Sequence, residues 1–453
     1  MGAGACGGGA CVAGAWGAGA GGVGGGWAGF CVFGRGNGCG VCADAAVAAR
    51  HSAHANKFRT TTTIINLVFL DYCRANHHWL LEFIEAIVAI ESPSDDPAAV
   101  NRCGSALAQR LEAIGASVTR VRSASAGDHL CATFGSGSRQ ILLLGHFDTV
   151  WPVGQLARMP LKRDGGRLYG PGVFDMKAGI GLAALATRAL IDHSALTNAR
   201  IVMLWTTDEE IGSGTSRELI EAEAVKSDAV LVFEPSLPGG ALKTSRKGVG
   251  QFEMIARGVS AHAGLDPGKG VSAIRELARQ IIAIDALQDP ANGVTLTVGL
   301  VSGGTRANVV PAEARATIDA RAITRADADR VQRSMHGLRA QIAGAQLDVT
   351  GGFDRPPLER SAGVVRLFEL ARSVAAEIGV TLEEGSAGGG SDGNFTAALG
   401  VPTLDGVGAI GDGAHALHEH VEIDALSPRA ATIAGLLARL IQGDASTSSS
   451  GGR

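Results

Sequence analysis

Three short apolar runs constrain this chain more than any other feature. They are Ile141–Leu144, Ile201–Trp205 and Val230–Phe233, and each stops on polar chemistry. The first leads into Gly145-His146-Phe147-Asp148, the second into Thr206-Thr207-Asp208-Glu209-Glu210, the third into Glu234-Pro235. A strand with one wet face would alternate, so a continuous apolar run suits a strand buried on both faces of a sheet. Helical patterns lie between the runs, in "MKAGIGLAALATRALIDH" and "TSRELIEAEAVKS". That alternation predicts an α/β fold with a mainly parallel central sheet. In such sheets ligands gather beyond the carboxyl ends of the strands, so the polar stops are expected on one rim.

The chain has 453 residues, more than one ordinary core accommodates. Residues 1–74 are assigned to a low-complexity, disordered extension, because the first forty are mostly Gly, Ala and Cys without helix or strand period. Cys39 and Cys42 form a lone CxxC with no second pair at ligand spacing, and no cysteine follows Cys131. Neither a zinc ribbon nor a disulfide-built domain is expected. "TTTTIINLVFLDYC" is too short to span a bilayer. From about Asn76 helical spacing begins, with Leu80, Phe83, Ile84, Ile87 and Ile90, then Leu107, Leu111 and Ile114.

The pattern changes at Arg246. Residues 246–356 read as strand, helix, two strands, helix and strand, which predicts a ferredoxin-like α/β sandwich inserted into the first domain. "RPPLER" (Arg355 to Arg360) reads as the return linker. Residues 75–245 and 357–442 then form one discontinuous catalytic domain, and 443–453 a flexible tail. A formal net charge of −4 gives no basic surplus for nucleic acid or anionic lipid. No secretory signal is visible, so a cytoplasmic location is the default expectation.

The polar stops form a set: His146, Asp148, Asp175 in "YGPGVFDMKAG", Glu209, Glu210, Glu234, and His415 in "GAHALHEHVEI". Imidazole and carboxylate without thiolate suit zinc, cobalt or manganese rather than copper(I) or iron–sulfur. Charges close for two divalent ions: a bridging Asp, two terminal Glu and a hydroxide balance them, and one His on each completes four ligands. Adjacent residues of an extended chain point opposite ways, so one of Glu209 and Glu210 is expected to ligate and the other to act as general base. Asp148 is placed to orient the His146 ring. Taken singly, His146 with Asp148 also fits a strand-end pair, Glu234 a strand-end acid, and Asp208 a structural acid.

Together "GHFDTV", "GVFDMKAG", "TTDEEIGSGTSRELI", "LVFEPS", "VSAHAGLDPGKGVSAI", "GGTRANVVPAEARATIDAR" and "GGGSDGNF" resemble the M20 metallopeptidases, and most of all their glutamate carboxypeptidase branch. The resemblance covers about residues 76 to 440. It implies a zinc-exopeptidase-like catalytic domain with two Zn2+ per subunit (Co2+ or Mn2+ possible) and an inserted lid through which the chains form a homodimer. By motif, His146 and Glu234 bind one ion, Glu210 and His415 the other, Asp175 bridges, and Glu209 is the base, with Asp148 in support. The Asp175–Met176 peptide is implied to be cis. His262, in "SAHAG", is implied to reach the oxyanion of a partner subunit's site. Asn308 and Arg321 are implied near the substrate, with Arg321 on its carboxylate, and Gly388, Gly389 and Gly390 along its backbone. The bland alternatives are a lid-packing role for His262, a turn at Asn308, and surface and structural roles for Arg321 and Arg355. His418 departs from the family pattern and stands as a rival ligand to His415.

The function implied is zinc-dependent hydrolysis of an amide by metal-bound hydroxide with a Glu general base, releasing a C-terminal amino acid such as glutamate from a small peptide or N-acyl amino acid. The alternatives are an N-acyl amino acid deacylase and a non-catalytic binding protein on the same fold. No nucleic acid or membrane partner is expected.

Overall fold

The computed structural model describes residues 63–443. The tract through residue 62, with its CxxC, and the tail from 444 lie outside the described residues. Residues 63–75 form helix α1, although the sequence reading placed them almost wholly in the extension. The correction has a simple cause: Phe69, Leu70 and Cys73 are buried in the main core, a short amphipathic pattern masked by the tract before it. Helices α2 (His77–Val88) and α3 (Pro97–Ala113) follow. Pro97 opens α3, and the Asp96 side chain caps it by accepting from the Ala99 amide.

Strands β1 (Ser117–Val121), β2 (His129–Gly135) and β3 (Arg139–His146) come next, then the short β4 (Lys162–Asp164) and β5 (Arg167–Tyr169). They are followed by α4 (Ala178–Asp192), β6 (Ala199–Thr206), α5 (Arg217–Ala224), β7 (Ala229–Val232) and β8 (Leu242–Arg246). The next segment runs β9 (Gly248–Arg257), α6 (Ala273–Asp285), β10 (Thr295–Gly303), β11 (Glu313–Ala322), α7 (Arg325–His336) and β12 (Gln346–Arg355). The last runs α8 (Ala362–Glu377), β13 (Glu384–Ala387), α9 (Gly393–Ala398), β14 (Thr403–Leu404), β15 (Gly411–Asp412), β16 (His420–Glu422) and α10 (Ile423–Gln442).

The central sheet has the order β1-β2-β6-β3-β7-β14. Strands β6, β3, β7 and β14 are parallel neighbours, and β2 runs against both β1 and β6. The sheet is therefore mixed, with β2 as its reversed member. The apolar runs are continuous because successive residues enter different cores. Ile141, Leu143, Ile201, Met203, Trp205 and Leu231 join the large core with α4 and α10. Leu142, Leu144, Val202, Leu204, Val230 and Val232 join a second one with Ile220 of α5 and Phe395 of α9. Both faces are dry, as buried parallel strands require.

Strands β10-β11-β9-β12 form a separate antiparallel sheet. Its own core includes Phe252, Leu277, Ile318, Val331 and Met335. Two chain crossings join it to the rest, at Lys247 and Pro356, and a bridge between Arg246 and Leu358 ties them together. Arg355 ends β12, so it belongs to a strand and not to the return linker. Arg246 ends β8, which pairs in parallel with β13. Among the described residues no helix is long and apolar enough to cross a membrane.

Candidate metal centre

His146 is the last residue of β3 and pairs with Thr206 at the end of β6. Glu234 lies just past β7, where the Phe233 amide still donates to the Leu144 carbonyl. Three polar stops therefore share the carboxyl rim of one sheet. Asp175 sits in the irregular turn Val173–Lys177, before α4, and its peptide bond to Met176 is cis. Gly179 lets that helix start against the rim, since a Cβ there would lie 2.3 Å from the Phe233 carbonyl oxygen.

Glu209 and Glu210 occupy a 3-10 turn, Glu209–Ile211, so the extended chain assumed for them is corrected. Their side chains still diverge, because a turn of three residues separates neighbours by about 120°. Glu209 faces His146 and Glu234, while Glu210 faces His415. His415 is reached by a loop in which its own φ is 61°.

The geometry is centred on Asp175. Its Oδ1 is 3.3 Å from His146 Nε2, and its Oδ2 is 3.5 Å from His415 Nε2. Glu234 Oε1 lies 3.5 Å from the same His146 nitrogen. Glu210 Oε2 lies 3.2 Å from His415 Nε2. Candidate ligand atoms of His146, Glu209 and Glu234 fall within 4.8 Å of one another, as do those of His146, Asp175 and Glu210. The other nitrogen of His146, Nδ1, faces Asp148, with the backbone oxygen at 3.1 Å and Oδ1 at 3.4 Å. Asp148 is held in turn by the Ser94 hydroxyl at 2.7 Å and the Glu210 amide at 3.3 Å.

This cluster demands positive charge at its centre. Burial works against a charged His146, yet Asp148, Asp175 and Glu234 raise its pKa well above the usual imidazole value. Hydrogen bonds to Asp175 and Glu210 push His415 up to about 10. Burial lifts Glu209 well above the carboxylate range, with Arg355 opposing, and burial also lifts Glu210. For Asp175 and Glu234 burial is outweighed: the two histidines lower the first, and His146 with Arg246 lowers the second. The buried Oδ1 of Asp175 accepts no hydrogen bond. An unsatisfied carboxylate oxygen among three further carboxylates and two imidazoles fits divalent cations of the zinc, cobalt or manganese kind.

Sequence reasoning gave no site role to three supporting residues, weighing only Arg355 and only as structural. Arg355 Nη2 contacts Glu209 Oε1 at 3.1 Å and Ser213 Oγ at 2.8 Å, while its Nη1 donates to Asp392 Oδ1 at 2.9 Å. Arg246 pairs with Glu234 at 3.2 Å and Asp405 at 2.7 Å, and donates to the carbonyls of Gly389 and Gly390. Glu419 accepts from the amides of Gly172, Phe174 and Asp175, which holds the Asp175 turn, and burial pushes it up to about 7. No local pattern signals these contacts, since the partners are far apart in the chain. Asp208, by contrast, accepts from the Thr215 amide and hydroxyl in a structural role.

The cluster opens into a cavity of about 460 Å³, bordered also by Lys243, Arg246 and Gly388 to Gly390. His262, Asn308 and Arg321 do not border it within this chain. His262 Nδ1 accepts from the amides of Gly264 and Leu265, and the Asn308 carbonyl accepts from Ala263. Arg321 is neutralised by Asp319, two residues back on the same face of β11. His415, not His418, faces the carboxylates; the His418 carbonyl accepts from His420 Nδ1.

Comparison with known proteins agrees with this geometry. Residues 142–439 match the family described as Peptidase family M20/M25/M40. Carboxypeptidase G2 of Pseudomonas sp. (strain RS-16) is 31% identical over 360 residues, 77% of this chain and 86% of that protein. Succinyl-diaminopimelate desuccinylase of Xanthomonas euvesicatoria pv. vesicatoria (strain 85-10) is 30% identical over 75% of this chain and 93% of its own. The YXEP protein of Bacillus subtilis, a dinuclear metal-binding M20 peptidase, shares the fold with a TM-score of 0.61 at 16% identity, over 82% of this chain and 99% of that one. With most of its length matched and an imidazole–carboxylate cluster on the strand rim, the chain belongs to peptidase family M20/M25/M40 and is a hydrolase.

Proposed function

We propose that the chain is a two-metal exopeptidase that cleaves an amide and releases a C-terminal amino acid, glutamate or a similar acid. The observation that carries this reading is Asp175 facing two histidines through its two oxygens, with a glutamate beside each histidine. His146 and Glu234 would hold one ion, Glu210 and His415 the other, with Asp175 between them. Three protein ligands to each ion, with a position left open for water, suit catalytic zinc. When bound, the ions would polarise the scissile carbonyl and acidify water. Glu209 takes the proton from the attacking water and returns it to the leaving nitrogen. Asp148 fixes the tautomer and tilt of His146 through Nδ1. Gly389 and Gly390 run along the substrate backbone.

The module of residues 246–356 acts, in this reading, as lid and dimerisation surface. Its outer strand β10 exposes Leu300 (68%) and Val301 (59%), and α6 exposes Ile282 (71%). A second copy seated there would bring its His262 to the oxyanion and its Asn308 to the substrate. Arg321 would leave Asp319 for the substrate carboxylate.

A second reading, N-acyl amino acid deacylation, is favoured by the similarity to the desuccinylase. One panel tests both: N-acyl-glutamates, pteroyl-glutamate, dipeptides and acetyl-ornithine, with the protein zinc-loaded and then chelated. Glutamate release abolished by chelation supports the exopeptidase. Release only from small acyl amino acids moves the chain to the deacylases. No release with two ions bound sinks both and leaves a binding protein.

A further inference from the structure

Lys243 has no part in that scheme, yet its place is built with care. It lies on β8, a strand buried along its whole length, and is itself 8% exposed. Its amide donates to the Asp405 carbonyl at 2.9 Å, which fixes the backbone. Its stem lies on Gly406, where a Cβ would stand 3.0 Å from Lys243 Cγ and 3.3 Å from Cδ. A glycine at φ 70° therefore leaves the channel through which the stem reaches the cavity wall.

The ammonium at the end of that stem makes no hydrogen bond or ion pair among the described residues. Its acidic neighbours are all engaged. Asp405 binds Arg246 and the Ser391 hydroxyl, Glu234 binds Arg246 and faces His146, and Asp175 faces both histidines. Arg246, three residues further along β8, is the opposite case, saturated by Glu234, Asp405 and two carbonyls. The cavity wall thus carries one spent cation and one unspent one. A buried cation without a partner is costly, and an anion arriving in the cavity relieves it.

We infer that Lys243 is a specificity-determining contact for a second carboxylate on the substrate, beyond the α-carboxylate common to all C-terminal residues. The inference rests on the exopeptidase reading and assigns its preference for an acid to one side chain. Two sources share the chemistry: the side chain of the released residue, and the far end of a dicarboxylic acyl group. The charge acts as a compact, flexible point donor, which tolerates either.

The test compares matched acid and amide substrates by kcat/KM. N-acetyl-glutamate against N-acetyl-glutamine reads the released side. N-succinyl-leucine against N-succinamoyl-leucine reads the acyl side. The wild-type chain, with two zinc ions bound, is expected to prefer the acid at least tenfold in one pair, and that pair names the source. In Lys243→Met the ratio is expected to fall close to one, and in Lys243→Arg to stay well above it. Lys243→Gln supplies the same reading should the methionine variant fail to bind two ions. An unchanged ratio in the neutral variants overturns the inference. So does a wild-type enzyme that hydrolyses both members of each pair equally, which leaves the exopeptidase reading standing. Hydrolysis of none of the four, with two ions bound, overturns the inference, and failure on pteroyl-glutamate and the dipeptides as well overturns the exopeptidase reading.

Discussion

Glu209 and Arg355 show how one side chain is made useful by another from the far side of an inserted module. Arg355 contacts the Glu209 carboxylate and is anchored by Asp392 and Ser213, all of them buried or nearly so. With Glu209 as the base proposed above, Arg355→Met should lower kcat on the order of 10²-fold, because a base displaced by an ångström loses alignment. KM and the two-ion stoichiometry should move much less, as steady-state kinetics and metal analysis can check. The same change strands Asp392 without its charge partner, and urea unfolding should show a loss of about 3–5 kcal/mol. His129 makes a second residue-scale case. It is 1% exposed, between the hydroxyls of Thr207 and Thr215. Burial pulls its pKa below the ordinary 6.5, although Asp208, Asp148 and Asp392 pull the other way. The unfolded chain therefore binds the proton first. Stability is retained above pH 6.5 and declines as pH falls through the folded value. His129→Gln should flatten that decline between roughly pH 5 and 7, read from urea midpoints. His146, Glu209 and Glu234 were legible in the sequence because each ends an apolar run. Arg355 was not, because its meaning comes from a partner 146 positions away.

Elements declare themselves in sequence when one environment acts along their whole length. β3, β6 and β7 did so, since both their faces meet apolar cores. Strands β4, β5, β15 and β16 did not: each has only two or three residues, too few for a period to register. The Glu209 turn was misread as extended for a related reason, since three residues after a strand carry no pattern of their own. Contact between elements is a further property that the sequence hides. Gly179→Ala would drive a Cβ into the Phe233 carbonyl, and backbone cannot swing aside as a side chain does. It should cost about 1–3 kcal/mol of stability. With Glu234, the next residue, as the ligand proposed above, metal affinity should fall too, as a competitive chelator titration would show. Gly214→Ala, with nothing within 4 Å of the added carbon, is the control and should stay within about 0.5 kcal/mol of wild type.

At the scale of the whole molecule, three apolar cores hold the fold, and the cluster lies on the rim of the sheet that two of them cover. Chelation should therefore leave secondary structure in place while lowering the thermal midpoint. Ions present at a hundred times their dissociation constant are worth about 2.7 kcal/mol each. Collapse of circular dichroism on chelation at 25 °C would contradict that independence. The exposed edge of β10 makes a separate prediction. Leu300→Glu with Val301→Glu should convert a dimer to monomers in sedimentation, because a charged edge cannot be buried without a counter-charge. A wild-type chain that sediments as a monomer would remove the dimer proposal.

The helix α10 has a consequence in time as well as in space. Leu426, Ala430, Ala434 and Leu437 cover the face of the sheet that α4 shares, yet they come from the last described helix of the chain. A ribosome delivers all six elements of the β9–β12 module before it delivers this cover. The inserted module can thus complete its own core while the older, larger sheet still waits half-dressed, with His415 and one wall of the cavity not yet made. During synthesis the apolar face of β3, β6 and β7 is the segment that needs shelter until α10, the last described helix, closes over it.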